Sequence, residues 1–295
     1  LQQEKTIMTQ SNQQYVVLLG TKGGPAIRPG STMPTSSYLS MGGESIVVDC
    51  GLGVSCGLTD AGIRLETLNR IIITHLHSDH YLELGPLLHT AWTAGLKSQV
   101  EIWGPSGLDH YWAAFLESMR ADIELRIEDE GRPDLSKLVT VKTITEGEFL
   151  VTGNLRVSAI RNVHPPLDET YALSFRTNDR HVVFSGDTAH FPELAEFSRE
   201  ADLLVHEAML EPALKALVDR VGNGDDRLMK HLLRSHTAAG NAAELAQKAG
   251  VKALAFHHLI PSDDPDFSEK DWISAVETRY SGKFHLGKDG LVIPF

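Results

Sequence analysis

Three imidazoles and a carboxylate fall within the six residues His75-Leu76-His77-Ser78-Asp79-His80. They follow Arg70-Ile71-Ile72-Ile73-Thr74, a β-branched run that reads as a buried strand. The side chains therefore belong to the loop where a core strand ends. Imidazole nitrogen and carboxylate oxygen are the donors that hold zinc and similar divalent ions. Further polar groups follow strand-like runs downstream: His164, Asp187, the pair His206-Glu207 and the pair His257-His258. His236, in Ser235-His236-Thr237, is expected to open a helix. Strand ends that converge beside a histidine-rich loop are what a two-metal site needs.

The elements that must carry these groups mix short strands with helices. Strands are expected at 15–19, 38–41, 45–49 and 71–74, with a hairpin through Gly42-Gly43. Later strands are expected at 100–103, 139–144, 149–151, 155–160, 171–176, 181–185, 202–205 and 253–256. Helical spacing marks 60–69, 82–94, 191–199, 212–220 and 237–249. The stretch 108–129 begins as helix and then alternates like a strand at Ile123-Glu124-Leu125-Arg126-Ile127. The Gly- and Pro-rich stretch 21–34 is a loop. Residues 1–14 read as a polar tail and 15–295 as one domain, with two β-layers and helices outside.

The chain has 295 residues, 42% of them hydrophobic and 22% charged, ample for a substantial core. Its net charge of −12 argues against nucleic acid and anionic membranes as default partners. No apolar run is long enough to span a bilayer. Cys50 and Cys56 are too few to fix a compartment; two buried thiols are expected rather than a disulfide. The cytoplasm is the default, and the periplasm follows if a leader preceded Leu1.

His75, His77, Asp79 and His80 form an HxHxDH signature that resembles the metallo-β-lactamase fold, and His164, Asp187 and His258 match its remaining ligand positions in order. Within that superfamily the chain looks most like the ribonuclease Z and arylsulfatase branch. The marks are Gly20-Thr21, Asp49-Cys50-Gly51, Ser185-Gly186-Asp187-Thr188, His206-Glu207-Ala208 and Ser235-His236-Thr237. The resemblance implies an α/β (α+β) fold, a four-layer αββα sandwich with two Zn²⁺ at one edge, Mn²⁺ or Fe being alternatives. It implies that His75, His77 and His164 hold one ion, that Asp79, His80 and His258 hold the other, and that Asp187 bridges them. His258 is preferred to His257 because His258-Leu259-Ile260-Pro261 has the branch's spacing to proline. Asp79, His236 and Glu207 are the implied catalytic groups, with His236 as general acid oriented by Glu207. Asp49 is expected to bond a ligand histidine or the Gly20-Thr21 turn. Relatives are commonly homodimers. His89, His110, His181, His190, His231 and His285 match no position and read as ordinary histidines.

A metal-bridging hydroxide suits hydrolysis of an ester-like bond. The main expectation is a small substrate: an aryl sulfate, a phosphodiester or a related aromatic compound. Trp92, Trp103, Tyr111, Trp112 and Phe115 are candidates to line its pocket. The alternative is ribonuclease Z-type processing of tRNA 3′ ends. Against it stand the overall acidity, the lack of a basic arm and the residues that follow His258. Lactonase and hydrolytic dehalogenase activities, and a binding protein on the same fold, are further alternatives. A β-lactam is disfavoured by the branch.

Overall fold

The computed structural model describes residues 14–295; all of the expected tail but Gln14 lies outside the described residues. Strand β1 (Tyr15–Gly20) shows why its run is apolar throughout. Side chains alternate along a strand. Val16 and Leu18 enter the core between two sheets, while Val17 and Leu19 pack under helices on the opposite face. A strand buried on both faces has no polar side to display.

The first sheet collects β1, β2 (Ser36–Met41), β3 (Glu44–Cys50), β4 (Arg70–Ile72), β5 (Val100–Gly104), β6 (Val139–Thr143) and the last strand, β14 (Leu291–Pro294). Its order is β14-β1-β2-β3-β4-β5-β6. The second collects β7 (Gly147–Thr152), β8 (Leu155–Arg161), β9 (Tyr171–Arg176), β10 (His181–Phe184), β11 (Leu203–Met209), β12 (Ala253–Ile260) and β13 (Lys283–Leu286), in reverse order from β13 to β7. Both are mixed sheets, with β3 to β6 and β10 to β13 running parallel. Between them lie Leu18, Leu39, Ile46 and Ile72 from one side and Phe175, Phe184 and Val205 from the other.

Helices cover the outer faces. On the first sheet these include α1 (Val54–Asp60), α3 (Leu84–Thr93) and α4 (Leu108–Ser118). The second carries α10 (Ala239–Ala249) and α11 (Glu269–Glu277); α10 buries Ala239, Ala242, Ala243, Ala246 and Ala249. The result is the expected αββα sandwich. A smaller apolar cluster joins α8 (Leu214–Val221) and α9 (Arg227–Ser235) to Met209 and Ile260 at the edge where β11 and β12 end. Among the described residues no helix is long and apolar enough to cross a membrane.

Several expectations need correction. The helix expected at 60–69 lies earlier, in α1, and stops near Gly62, whose φ is +76°. Only a 3-10 turn, Leu65–Thr67, follows. The alternation Ile123 to Ile127 belongs to a helix, α5 (Arg120–Glu130). Ile123 is buried and Ile127 half-buried one turn on, while Leu125 is 62% exposed, so the working period is helical. Both cysteines are free; Cys50 is buried, but α1 turns Val54 and Leu58 inward and leaves Cys56 exposed. His236 caps the C-terminal end of α9 instead of opening α10.

The pairs His206-Glu207 and His257-His258 lie inside β11 and β12, not past their ends. In the β11–β12 ladder Glu207 pairs with His257 and Ala208 with Leu259, so His258 is the extra residue of a bulge, at φ +44°. Asp49 does the same in β3: Ser36 pairs with Cys50, Ser37 with Val48, and Asp49 between them has φ +62°. Left-handed backbone is uncommon outside glycine, though Asp and His tolerate it better than most residues. A bulge re-aims a side chain. Both of these are aimed at the same edge of the sandwich.

Candidate metal centre

β4 ends at Ile72, residues 73–77 form a loop whose last residue, His77, is extended, and Ser78 begins the single helical turn α2 (Ser78–Tyr81). The turn delivers Asp79 and His80, while the loop delivers His75 and His77. The rings of His75 and His77 meet edge to face, with centroids 4.9 Å apart. His164 follows β8 and Asp187 follows β10. Gly186 makes the turn to Asp187 at φ +58°, where a Cβ would lie 2.5 Å from the Tyr171 carbonyl oxygen.

These groups converge in two overlapping sets. His75, His77 and His164 present nitrogens within 4.8 Å of one another, and so do the donor atoms of Asp79, His80, Asp187 and His258. Asp187 Oδ2 joins the sets. It lies 2.9 Å from His258 Nε2, 3.3 Å from His80 Nε2, 3.7 Å from His75 Nε2 and 4.0 Å from His164 Nε2. His257 stands apart, near Phe184.

Hydrogen bonds behind the rings fix their tautomers. His80 Nδ1 donates to Asp49 Oδ2 at 2.8 Å, and His164 Nδ1 donates to the Ser235 carbonyl at 2.8 Å. The Thr74 hydroxyl donates to Asp49, so its oxygen is left to accept from His75 Nδ1 at 3.1 Å. Each ring thereby turns its Nε2 inward, free to bind a cation whenever it carries no proton. His164 Nε2 then faces His77 Nδ1 at 2.9 Å. His75 Nε2, His80 Nε2 and Asp187 Oδ1 are buried without a hydrogen-bond partner among the described residues. Buried acceptors aimed at one another are costly unless a cation sits among them, so the residues fit divalent metal ions.

The protonation pattern agrees with that fit. Burial disfavours the charged rings of His80 and His258, yet Asp187 and its neighbouring carboxylates raise both, His258 to about 10. Burial also disfavours the Asp187 anion, but His258 and His80 hold its carboxyl well below the usual range. His164, with less carboxylate around it, is pushed by burial down to about 3. Protons on His80 and His258 occupy positions that a cation would otherwise take.

Asp79 Oδ2 accepts from the Gly24 amide at 2.9 Å and faces His258 Nε2 at 3.2 Å. A Cβ on Gly23 would lie 3.1 Å from the His258 ring, so glycine lets this loop approach the centre. Asp49 reaches His80 and Thr74. The Gly20-Thr21 turn, the other partner expected for Asp49, is instead held by Asp289, which accepts from Thr21 N and Oγ1. No signal in the sequence linked Asp289 to this site. Among the described residues the His206 ring bonds only its neighbour, through the Glu207 carbonyl, and it belongs to no set with metal-ligand spacing.

His236 stacks on His258, with centroids 5.4 Å apart, and lies near enough to His164 and Asp187 to share a cation by distance alone. Its Nδ1 nevertheless faces Glu207 Oε1 at 3.3 Å. Glu207 Oε1 is pinned by the amides of Thr188 and Thr237. Burial raises the Glu207 carboxyl, and His236 opposes that rise.

A cavity of about 360 Å³ opens over the centre. One wall is apolar, from Leu217, Val221, Leu228 and Leu232 of α8 and α9. Another carries Lys22 and Arg28. Asp263 lies 3.2 Å from Lys22 Nζ and 3.5 Å from a guanidinium nitrogen of both Arg28 and Arg220. The aromatic lining expected of Trp92, Trp103, Tyr111, Trp112 and Phe115 is absent from this wall. Trp92 and Trp112 are core, with Tyr111 and Phe115 packed against them, and Trp103 packs on Phe149. His231, assigned no role by its sequence position, lines the cavity.

The profile of the family described as anti-Pycsar protein Apyc1 matches residues 16–254. A ribonuclease Z of Mycobacterium sp. (strain KMS) is 32% identical over 278 residues, 93% of this chain and 93% of that protein. Among solved structures, the metallo-β-lactamase fold protein YhfI from Bacillus subtilis superposes with a TM-score of 0.69 at 22% identity, covering 95% of this chain and 99% of that one. Human tRNase Z, short form, superposes with a TM-score of 0.66 at 20% identity, covering 95% and 98%.

Proposed function

Because the chain belongs to the anti-Pycsar protein Apyc1 family, among metallo-β-lactamase-fold, metal-dependent hydrolases related to ribonuclease Z, we propose that it cleaves a phosphodiester bond in a nucleotide-sized substrate. In this reading His75, His77 and His164 hold one divalent cation, Asp79, His80 and His258 hold a second, and Asp187 serves both. The observation that carries it is the single Asp187 oxygen within 4.0 Å of imidazole nitrogens from both sets. Imidazole and carboxylate donors suit zinc, and also manganese or iron. Cations bound there polarise phosphoryl oxygens and lower the pKa of water.

The chain's own groups do the rest. Asp49, Thr74 and Ser235 keep the ligand rings in the tautomers that face inward. Water adds its oxygen to phosphorus while the bond from phosphorus to the leaving oxygen breaks. His236 delivers the proton that turns that oxygen into an alcohol, and a phosphomonoester remains. Glu207 faces His236 Nδ1 at 3.3 Å and holds the ring in place. The wall from α8 and α9 gives an apolar surface for a base, and Lys22 and Arg28 favour an anion.

The ribonuclease Z names of the relatives favour phosphodiester cleavage over the aryl sulfate, lactone or halogenated-aromatic readings. Those names also favour RNA as a second reading, since an RNA backbone bond is a phosphodiester. A cavity of about 360 Å³ walled on one side by two helices and a net charge of −12 favour the smaller ester. The test is a panel on the metal-loaded protein: dinucleoside phosphates, aryl sulfates and a precursor tRNA. Turnover of the dinucleoside phosphates with little tRNA cleavage is expected. Turnover of the sulfate alone would overturn the reading, and tRNA cleavage alone would select the second one.

A further inference from the structure

His231 lies on α9, one helical turn before Ser235, and faces the cavity over the centre. Its ring centroid is 6.2 Å from that of His77, 6.0 Å from His164 and 5.8 Å from His236. It therefore borders the open side of the centre, yet it belongs to none of the sets with metal-ligand spacing. The role of its two nitrogens follows from Ser235. The Ser235 hydroxyl donates to the Pro165 carbonyl at 2.8 Å. Its oxygen can then only accept from His231 Nδ1, 3.4 Å away. A neutral imidazole carries one N–H and one lone pair, so Nε2 is the acceptor, and among the described residues it has no hydrogen-bond partner.

Resting on the phosphodiester reading, we propose that His231 is a specificity-determining residue whose Nε2 accepts a hydrogen bond from a substrate hydroxyl beside the scissile phosphate. The hydroxyl that a nucleotide 3′-ester carries there is the ribose 2′-OH, a donor that 2′-deoxy esters lack. A site built to pair with a hydroxyl discriminates against the analogue without it, because its own acceptor is then left unpaired. His231 thus biases the enzyme toward ribonucleotide esters. Ser235 serves two rings at once: its carbonyl aligns His164 for metal, and its hydroxyl aligns His231 for substrate.

The experiment compares kcat/KM for uridylyl-uridine with that for its 2′-deoxy counterpart in the zinc-loaded protein. The wild type is expected to prefer the ribose form. His231→Ala lowers the ribose-to-deoxyribose ratio roughly tenfold with its metal content unchanged. His231→Gln, whose amide oxygen reaches the place of Nε2, recovers the ratio. A ratio unmoved in His231→Ala, equal losses on both compounds, or loss of metal would each overturn the assignment while leaving phosphodiester cleavage intact. A wild type that cleaves neither compound removes the phosphodiester reading and this inference together.

Discussion

Asp49 Oδ2 lies 2.8 Å from His80 Nδ1, and Asp49 reaches it only because its backbone is left-handed, at φ +62°. The same carboxylate receives the Thr74 amide and hydroxyl. One strained residue thus sets the tautomer of His80 directly and that of His75 through Thr74. Asp49→Ala is expected to weaken metal binding about 10- to 100-fold. Competition against a chelator of known affinity measures it. Unchanged affinity would mean that the ligand rings hold their orientation without Asp49.

Among the described residues, Asp187 is the carboxylate that lies within 4.0 Å of imidazole nitrogens from both halves of the centre. Asp187→Ala should lose one or both ions, counted by elemental analysis, and lose turnover with them. Retained turnover would contradict its shared position.

His236 should behave differently. Its Nδ1 faces Glu207, so His236→Ala is expected to keep its metal and slow turnover about 10²- to 10⁴-fold. The loss should be greatest for esters with a poor leaving alcohol, which most need the proton. Loss of metal in this variant would make His236 a ligand instead.

Acid should weaken the fold through two histidines outside the centre. Burial pushes His181 and His206 down to about 4, from an unperturbed 6.5. Above about pH 6.5 both are neutral whether the chain is folded or not. As pH falls from there through about 4, the unfolded chain takes up protons that the folded one refuses, and stability is lost. Urea unfolding of the chelated protein at about pH 7.5 and about pH 5 gives this slope. Replacing both residues by Gln should flatten it; an equal slope would refute their contribution.

The His75 to His80 cluster was legible because its donors lie within one loop and the single helical turn that follows it. His164, Asp187 and His258 stood out only as polar groups after strand-like runs, and their assignment as ligands came from resemblance, since contacts across the sandwich leave no local pattern. The bulges at Asp49 and His258 were hidden, because a one-residue register shift depends on the partner strand. Leu125 misled the reading of α5: an exposed leucine between two inward-facing isoleucines imitates a strand. His231 was hidden because α9, which carries it over the cavity, was not recognised as an element.

The central claim is that two cations held by these residues are what make the chain a phosphodiesterase. Its most direct test is a zinc titration of the EDTA-stripped protein, with bound metal and hydrolysis of bis(p-nitrophenyl) phosphate followed together. The account predicts no turnover without metal and a rise that saturates at two ions per chain, absent in Asp187→Ala. Full turnover in the stripped protein, or saturation with the variant as active as the wild type, would contradict it.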